Sequence, residues 1–327
     1  MKCLFILLIT LFSVQLNGQQ QTKDNQSMEK AILQIIEKCQ QYPLVALDEG
    51  HHNSRVFHEF LQALVQHKKF SQTVQDIVVE FGNARYQHIM DDYINGEPIP
   101  DSMLRLCWRE TTQVLVWDSP VYEQFFKTVR AVNKSLDKKK KIRILLADPP
   151  IDWSKVNTIE DWISFANRDE FAFNIIEKEV ISKGRKALII FGGLHLLRKS
   201  IHNMQALQSQ QPKTLGERLT QQYPRSYWMA WTRLNTTNPV VTELLKAAPY
   251  YPTLLSSNLF NELSFDQICD FKLPSIESKP AHQENVTTII DGILYLEELN
   301  ALIESVPIHQ EIFKETNYFI ELVRRCK

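Results

Sequence analysis

Short unbroken apolar runs alternate along this chain with longer stretches in which apolar residues recur every three or four positions. The runs are PLVAL (43–47), DIVVEF (76–81), IRILLADPP (142–150) and KALIIFGG (186–193). Each has strand length and lacks the apolar–polar alternation of a half-exposed sheet, so they predict strands covered on both faces. The helical spacing falls between them. SMEKAILQIIEKC (27–39) predicts a helix with Ser27 as its cap, and SRVFHEFLQALVQH (54–67) places Val56, Phe57, Phe60, Leu61 and Leu64 on one face. ARYQHIMDDYI (84–94) predicts a helix stopped by NGEPIP, another follows over 119–136, and one long helix over 159–183 ends at Gly184. Strand alternating with helix in this way predicts an α/β fold: a mostly parallel central sheet with helices on both faces. After residue 212 the pattern weakens. SYWMAW (226–231) and TTIIDGILYL (287–296) predict further strands and 306–325 a helix, while 233–285 has no clear period and reads as an unassigned insertion or cap.

The predicted strands end in ionisable residues. The first runs VALDEGHHN, closing in Asp48, Glu49, His51 and His52; the second closes in Glu80; the third in Asp148, before Pro149; the fourth passes through Gly192 and Gly193 to His195. In open parallel sheets ligands bind outside the carboxyl ends of the strands, so these side chains are expected at one crevice despite their distance in sequence. Imidazoles beside carboxylates suit acid–base chemistry or metal ligation. His58, His67 and His88 fall on helical stretches and His202, His282 and His309 outside the strand-end pattern, and they are set aside. Arg168, followed by Asp169, is placed to bind a substrate anion or pair with a strand-end carboxylate. Arg109 and Trp117 suit a pocket wall, and Asp148 its floor. The usual P-loop, GxGxxG, GxSxG and HExxH signatures are missing.

Charge narrows the partners. The chain has 327 residues, 37 basic against 38 acidic, for a formal net charge of −1. No global field favours nucleic acid or an anionic membrane, and a small-molecule substrate is the expected partner. Residues 1–18 have the form of a secretory signal: Lys2, an apolar run over 3–16, then Gly18. That run is shorter than the ~20 residues that span a bilayer, so the mature chain is expected to be exported, periplasmic or secreted, and not membrane-bound. Residues 19–27 then form a polar leader, and 28–327 a single α/β hydrolase-like domain. Cys39, Cys107, Cys269 and Cys326 remain after cleavage, at spacings that fit no zinc ribbon or dithiol motif; one or two disulfides and four buried thiols are equally compatible.

Four segments together, LDEGHHNSRVFHEFLQALV, IVVEFGNARYQHIMDDYINGE, NRDEFAFNII and ALIIFGGLHL, resemble the erythromycin esterase / ChaN-like superfamily, distantly including the TraB/Tiki group. The family pattern is Gly-Glu then His after the first strand, Glu after the second with a Gln on the next helix, an Arg-Asp pair, and a glycine-rich strand end with His. Here these fall on Glu49 with His51 and His52, Glu80 with Gln87, Arg168 with Asp169, and His195; Asp48 stands where the family has Gly. DGILYL (291–296) resembles the family's late strand. The resemblance implies an α/β fold and one of three activities: hydrolysis of a macrolide lactone by histidine-activated water, metal-dependent peptide cleavage, or binding of haem iron. The main expectation is an esterase-like hydrolase that needs no cofactor. In it Glu49, His51, His52, Glu80 and His195 are catalytic, and Arg168, Asp148, Arg109 and Trp117 contact substrate. In the alternative, Glu49, His51, Glu80 and His195 ligate a divalent metal, or the site holds haem.

Overall fold

The computed structural model describes residues 25–199, 213–246, 248, 251–270, 284–296, 305–308, 312 and 314–326. The predicted signal segment therefore lies outside the described residues, as does most of the leader. Seven strands form one sheet: β1 (Leu44–Asp48), β2 (Asp76–Asn83), β3 (Arg143–Asp148), β4 (Ala187–Phe191), β5 (Tyr227–Trp231), β6 (Thr253–Ser256) and β7 (Gly292–Tyr295). Their order is β3-β2-β4-β1-β5-β7-β6. Every neighbouring pair is parallel except the antiparallel β6·β7 at one edge. The fold is α/β, as the pattern predicts.

The continuous apolar runs have the expected cause. Along β1, Val45 and Leu47 enter one hydrophobic core while Leu44 and Ala46 enter the other, all fully buried. Helices cover both faces because neither face can be left to water. The first core packs α1 (25–41), α2 (Arg55–Gln66), α3 (Gln87–Asn95) and α4 (Pro120–Lys134). The second packs α5 (Arg168–Glu179) and α6 (Leu215–Gln222). Near the C-terminus, α7 spans Thr316–Arg325.

Several boundaries differ from the sequence pattern. Ser27 lies inside α1 rather than capping it, and its hydroxyl donates to the Pro252 carbonyl at 2.6 Å. The long helix expected over 159–183 is broken: Ile159–Ile163 forms one turn, Asn167 leaves helical backbone (φ −82°, ψ 62°), and α5 restarts at Arg168. That break makes Arg168 the first residue of a helix over the sheet edge. The segment without a period holds a helix (Pro239–Lys246) and the short edge strand β6, too brief to show periodicity. Of 306–325, the described helix covers only the last ten residues. The four cysteines are free thiols, with Cys326 exposed and the other three buried.

Edge strand β3 is protected by a side chain. Gln87, at the start of α3, accepts from Leu146 N at 2.8 Å and donates to Ile144 O at 2.7 Å, completing bonds a further strand would otherwise make. In β2 the register slips: Val79 pairs with Leu146 and Asn83 with Asp148, so Glu80, Phe81 and Gly82 face the single residue Ala147. A bulge of this kind re-aims side chains, and Glu80 sits in it.

Close approach on the second face gives a stability test. A Cβ on Gly216 would lie 2.5 Å from the Leu197 carbonyl oxygen and overlap the Leu196 carbonyl. Those are backbone atoms that cannot rotate away. Gly216→Ala is expected to cost about 2 kcal/mol or more, read as a lower urea midpoint with unchanged m-value.

Candidate active site at the carboxyl edge of the sheet

The carboxyl ends of β1 to β4 bring most of the predicted residues together. At the β2 and β3 ends, Arg168 donates Nη2 to Glu80 Oε1 at 2.7 Å and Nε to Asp148 Oδ1 at 2.9 Å. Asp148 also accepts from Thr112 N and Thr112 Oγ1, both at 2.6 Å. Burial pushes the Asp148 carboxyl up to about 6 against the pull of Arg168 and Thr112, and near neutral pH it is the acceptor these donors require. Glu80 accepts from Gly192 N at 2.6 Å through its other oxygen. Burial would raise its carboxyl, but Arg168, His195 and the Gly192 amide outweigh that and hold it below the usual range.

His195 follows β4. Its Nδ1 lies 2.9 Å from Asp169 Oδ1 and its Nε2 3.4 Å from Glu80 Oε1. Burial disfavours the imidazolium, yet the two carboxylates prevail and raise its pKa above the ordinary histidine value. Asp169 is itself held by Leu215 N at 2.9 Å. The glycines before His195 make room: a Cβ on Gly193 would lie 2.6 Å from Asp48 Cγ.

The β1 end carries the second cluster. Glu49 is buried and accepts from Tyr122 OH at 2.5 Å through Oε1, while His52 Nδ1 lies 2.9 Å from Oε2. Because a carboxylate only accepts, His52 donates through Nδ1, leaving the Nε2 lone pair free. Burial raises the Glu49 carboxyl, but the bond from His52 and the close approach of His58 outweigh it, leaving a pKa of about 2. Reciprocally, burial lowers His52 but Glu49 raises it further, with help from the charges of Glu80 and Asp48. The His52 side chain is 43% exposed, so its outer face meets solvent. Trp117 joins the clusters: its ring is edge-on to His52 at 6.2 Å and lies under the Arg168 guanidinium at 5.4 Å.

Two predicted residues lie elsewhere. His51 turns outward, its Nε2 3.1 Å from Asp270, which also pairs with Arg233. Arg109 is tied to Asp118 at 3.0 Å and Glu315 at 2.7 Å, over the Tyr318 ring, and buttresses α7 rather than facing the crevice. The metal set therefore does not converge. His51 is committed to Asp270, Glu80 is saturated by Arg168 and Gly192 N, and among the described residues no three His, Cys, Asp or Glu side chains are grouped to hold an ion. For haem, both nitrogens of His195 already face carboxylates, Asp169 and Glu80, and of the two imidazoles only His52 keeps a nitrogen for an axial bond. Asp48, where the family pattern has Gly, is a structural brace: it accepts from Gly50 N at 2.7 Å and from Thr232 N and Oγ1 at 3.1 and 2.9 Å, tying the end of β1 to that of β5. The sequence reading missed Tyr122, Thr112 and the buried His58. Tyr122 and His58 occupy apolar faces of α4 and α2, where only pairing with a distant carboxylate distinguishes them from core residues. Asp169 could be found from its place beside Arg168.

No family model matches the chain, and no curated protein does. Solved structures show its fold at a distance. It resembles a succinoglycan biosynthesis protein with a TM-score of 0.57 at 11% identity, covering 86% of this chain and 97% of that one. It also resembles a Bacillus cereus protein with a TM-score of 0.54 at 11% identity, covering 84% and 92%. At that identity the likeness extends to the fold alone.

Two predictions come from this electrostatics. Arg168→Met leaves Glu80 and Asp148 buried without their shared cation and is expected to cost about 3–5 kcal/mol, measured by urea denaturation at pH 7. The folded pKa of Glu49 is about 2, below its ordinary 4.5. Its contribution is thus present above pH 4.5 and lost as pH falls toward 2. Asp148, raised, slopes the opposite way between its ordinary 3.8 and about 6. The difference between wild type and Glu49→Gln isolates Glu49: stability curves recorded from pH 6 to 3 should converge as the pH falls.

Proposed function

We propose that the chain is an exported hydrolase of the erythromycin-esterase-like kind, cleaving an ester or related acyl bond with water activated by His52. One observation carries this: a 43% exposed imidazole whose Nδ1 is held 2.9 Å from the buried Glu49 carboxylate while its other nitrogen has no hydrogen-bond partner among the described residues. A fixed tautomer with a free lone pair is what a general base requires. The ordered motif of Glu49, His52, Glu80, Arg168 and His195 supports the family assignment.

In this reading water is held by His52 Nε2 and attacks the acyl carbon. The water proton passes to His52, and Glu49 stabilises the imidazolium as it forms. The carbonyl oxygen becomes an oxyanion facing His195, whose imidazolium form Glu80 and Asp169 favour, and the guanidinium of Arg168, whose Nη1 is in neither ion pair. Collapse breaks the bond to the leaving oxygen, which takes the proton back from His52. One water is consumed and an acid and an alcohol are released. No serine or cysteine nucleophile is called upon. Trp117, expected from the sequence to contact substrate, is instead buried in the core and backs the site from behind His52 and Arg168.

The test is a panel of aryl and alkyl esters and lactones. His52→Ala is expected to lower kcat/KM about 10²- to 10⁴-fold, and a chelator to leave the rate unchanged. Because neutral His52 is the active form and its pKa is raised, the rate should climb with pH through a midpoint above that of a free imidazole. Glu49→Gln should move that limb to lower pH. Wild-type hydrolysis unaffected by His52→Ala would overturn the proposal.

A further inference from the structure

The core of the β1 end holds a histidine that packing alone does not account for. His58 lies on α2, 1% exposed, in a box of aromatic rings: Tyr122 at 4.9 Å, Phe57 at 5.7 Å and Phe81 at 6.3 Å, each crossed at a steep angle. Neither ring nitrogen makes a full hydrogen bond among the described residues. An orphaned polar group in such a place costs about 1–3 kcal/mol, and an apolar ring would fill the box without that cost. The one charged group in reach is Glu49, whose Oε1 lies 3.5 Å from His58 Nε2, at the outer limit of a hydrogen bond.

Glu49 is therefore enclosed. His52 holds Oε2 from the solvent side; Tyr122 and His58 meet Oε1 from the core side. Burial keeps the Tyr122 phenol protonated, so it can only donate to the carboxylate. Every donor that turns to Glu49 from behind withdraws charge that His52 would otherwise feel. The other charges acting on His52 are Glu80 and Asp48, and Arg168 lies beyond Trp117. Of the two side chains that meet Glu49 from within the core, His58 is the imidazole and Tyr122 the phenol.

We propose that His58 is a positioning residue for the candidate base: from inside the core it directs Nε2–H at Glu49 Oε1 and shares the carboxylate with His52. It does not touch substrate. With His58 in place the Glu49 charge is divided between two imidazoles, and His52 gives up its proton more readily than it would to solvent if it held that carboxylate with Tyr122 alone. The inference rests on His52 as general base only for its consequence in catalysis; the shared carboxylate itself can be observed without any substrate.

The experiment reads the imidazoles directly. Long-range ¹H–¹⁵N spectra of the wild-type protein should show His58 with Nε2 protonated across pH 5 to 8; an Nδ1–H tautomer with bare Nε2 would overturn the proposal. In His58→Phe, which fills the box, the His52 titration midpoint should move up by about half a pH unit or more, since one pKa unit is about 1.4 kcal/mol of differential interaction. His58→Gln, which keeps a donor, should restore it toward the wild-type value. An unchanged His52 midpoint in a folded His58→Phe protein would also overturn it. If ester hydrolysis is absent but the midpoint moves as stated, the proposed reaction fails and the shared carboxylate stands.

Discussion

Arg168 lies between two buried carboxylates at the ends of adjacent strands, and the rest of the edge is arranged around it. Its guanidinium reaches Glu80 in the β2 bulge and Asp148 at the end of β3, while its backbone opens α5 on the second face of the sheet. Two carboxylates so placed would repel each other and resist burial without a shared cation. With it, the bulge, the third strand and the helix start are held in one register. The break in the helical stretch before Arg168 acquires a purpose in this light. An unbroken helix from 159 would have carried the guanidinium around its axis and away from the edge.

Around that cation the edge divides into two imidazole–carboxylate units of different character. His195 faces carboxylates through both nitrogens, Asp169 and Glu80, which raise its pKa against burial and the nearby Arg168. His52 is held through one nitrogen by Glu49 and presents the other outward. A charged imidazole stabilises a developing anion, and a half-free one accepts a proton. The two imidazoles thus differ in how many partners each has, and the buried Trp117 lies between His52 and Arg168. The same saturation argues against resident-metal chemistry at this set: Glu80 has spent both oxygens, and His51 has turned to Asp270.

Asp48 braces the turn that follows β1. Its side chain ties Gly50 and Thr232, so β1 and β5 end together. Two residues on, Gly50 adopts φ +71°, and a Cβ there would lie 2.5 Å from Thr232 Oγ1. The turn that carries His51 and His52 away from the sheet is thus stapled from below.

The sequence by itself determined the fold class and where its chemistry gathers. Continuous apolar runs can only be strands buried on both faces, and parallel strands deliver their ends to one edge; so Glu49, His52, Glu80, Asp148 and His195 were legible from their places after those runs. Tertiary structure decided the partnerships. A polar residue on a helix shows no sign in its own sequence neighbourhood of the distant carboxylate it will meet. His58 was therefore set aside on its helix, Tyr122 gave no sign at all, Arg109 read as a pocket residue, and His51 as the equal of His52. Which neighbour each side chain finds depends on the packing of α2, α4 and α7 across the sheet and on a bulge of a few residues in β2. Those are contacts between segments far apart in the chain, and hydrophobic periodicity, a local property, does not encode them.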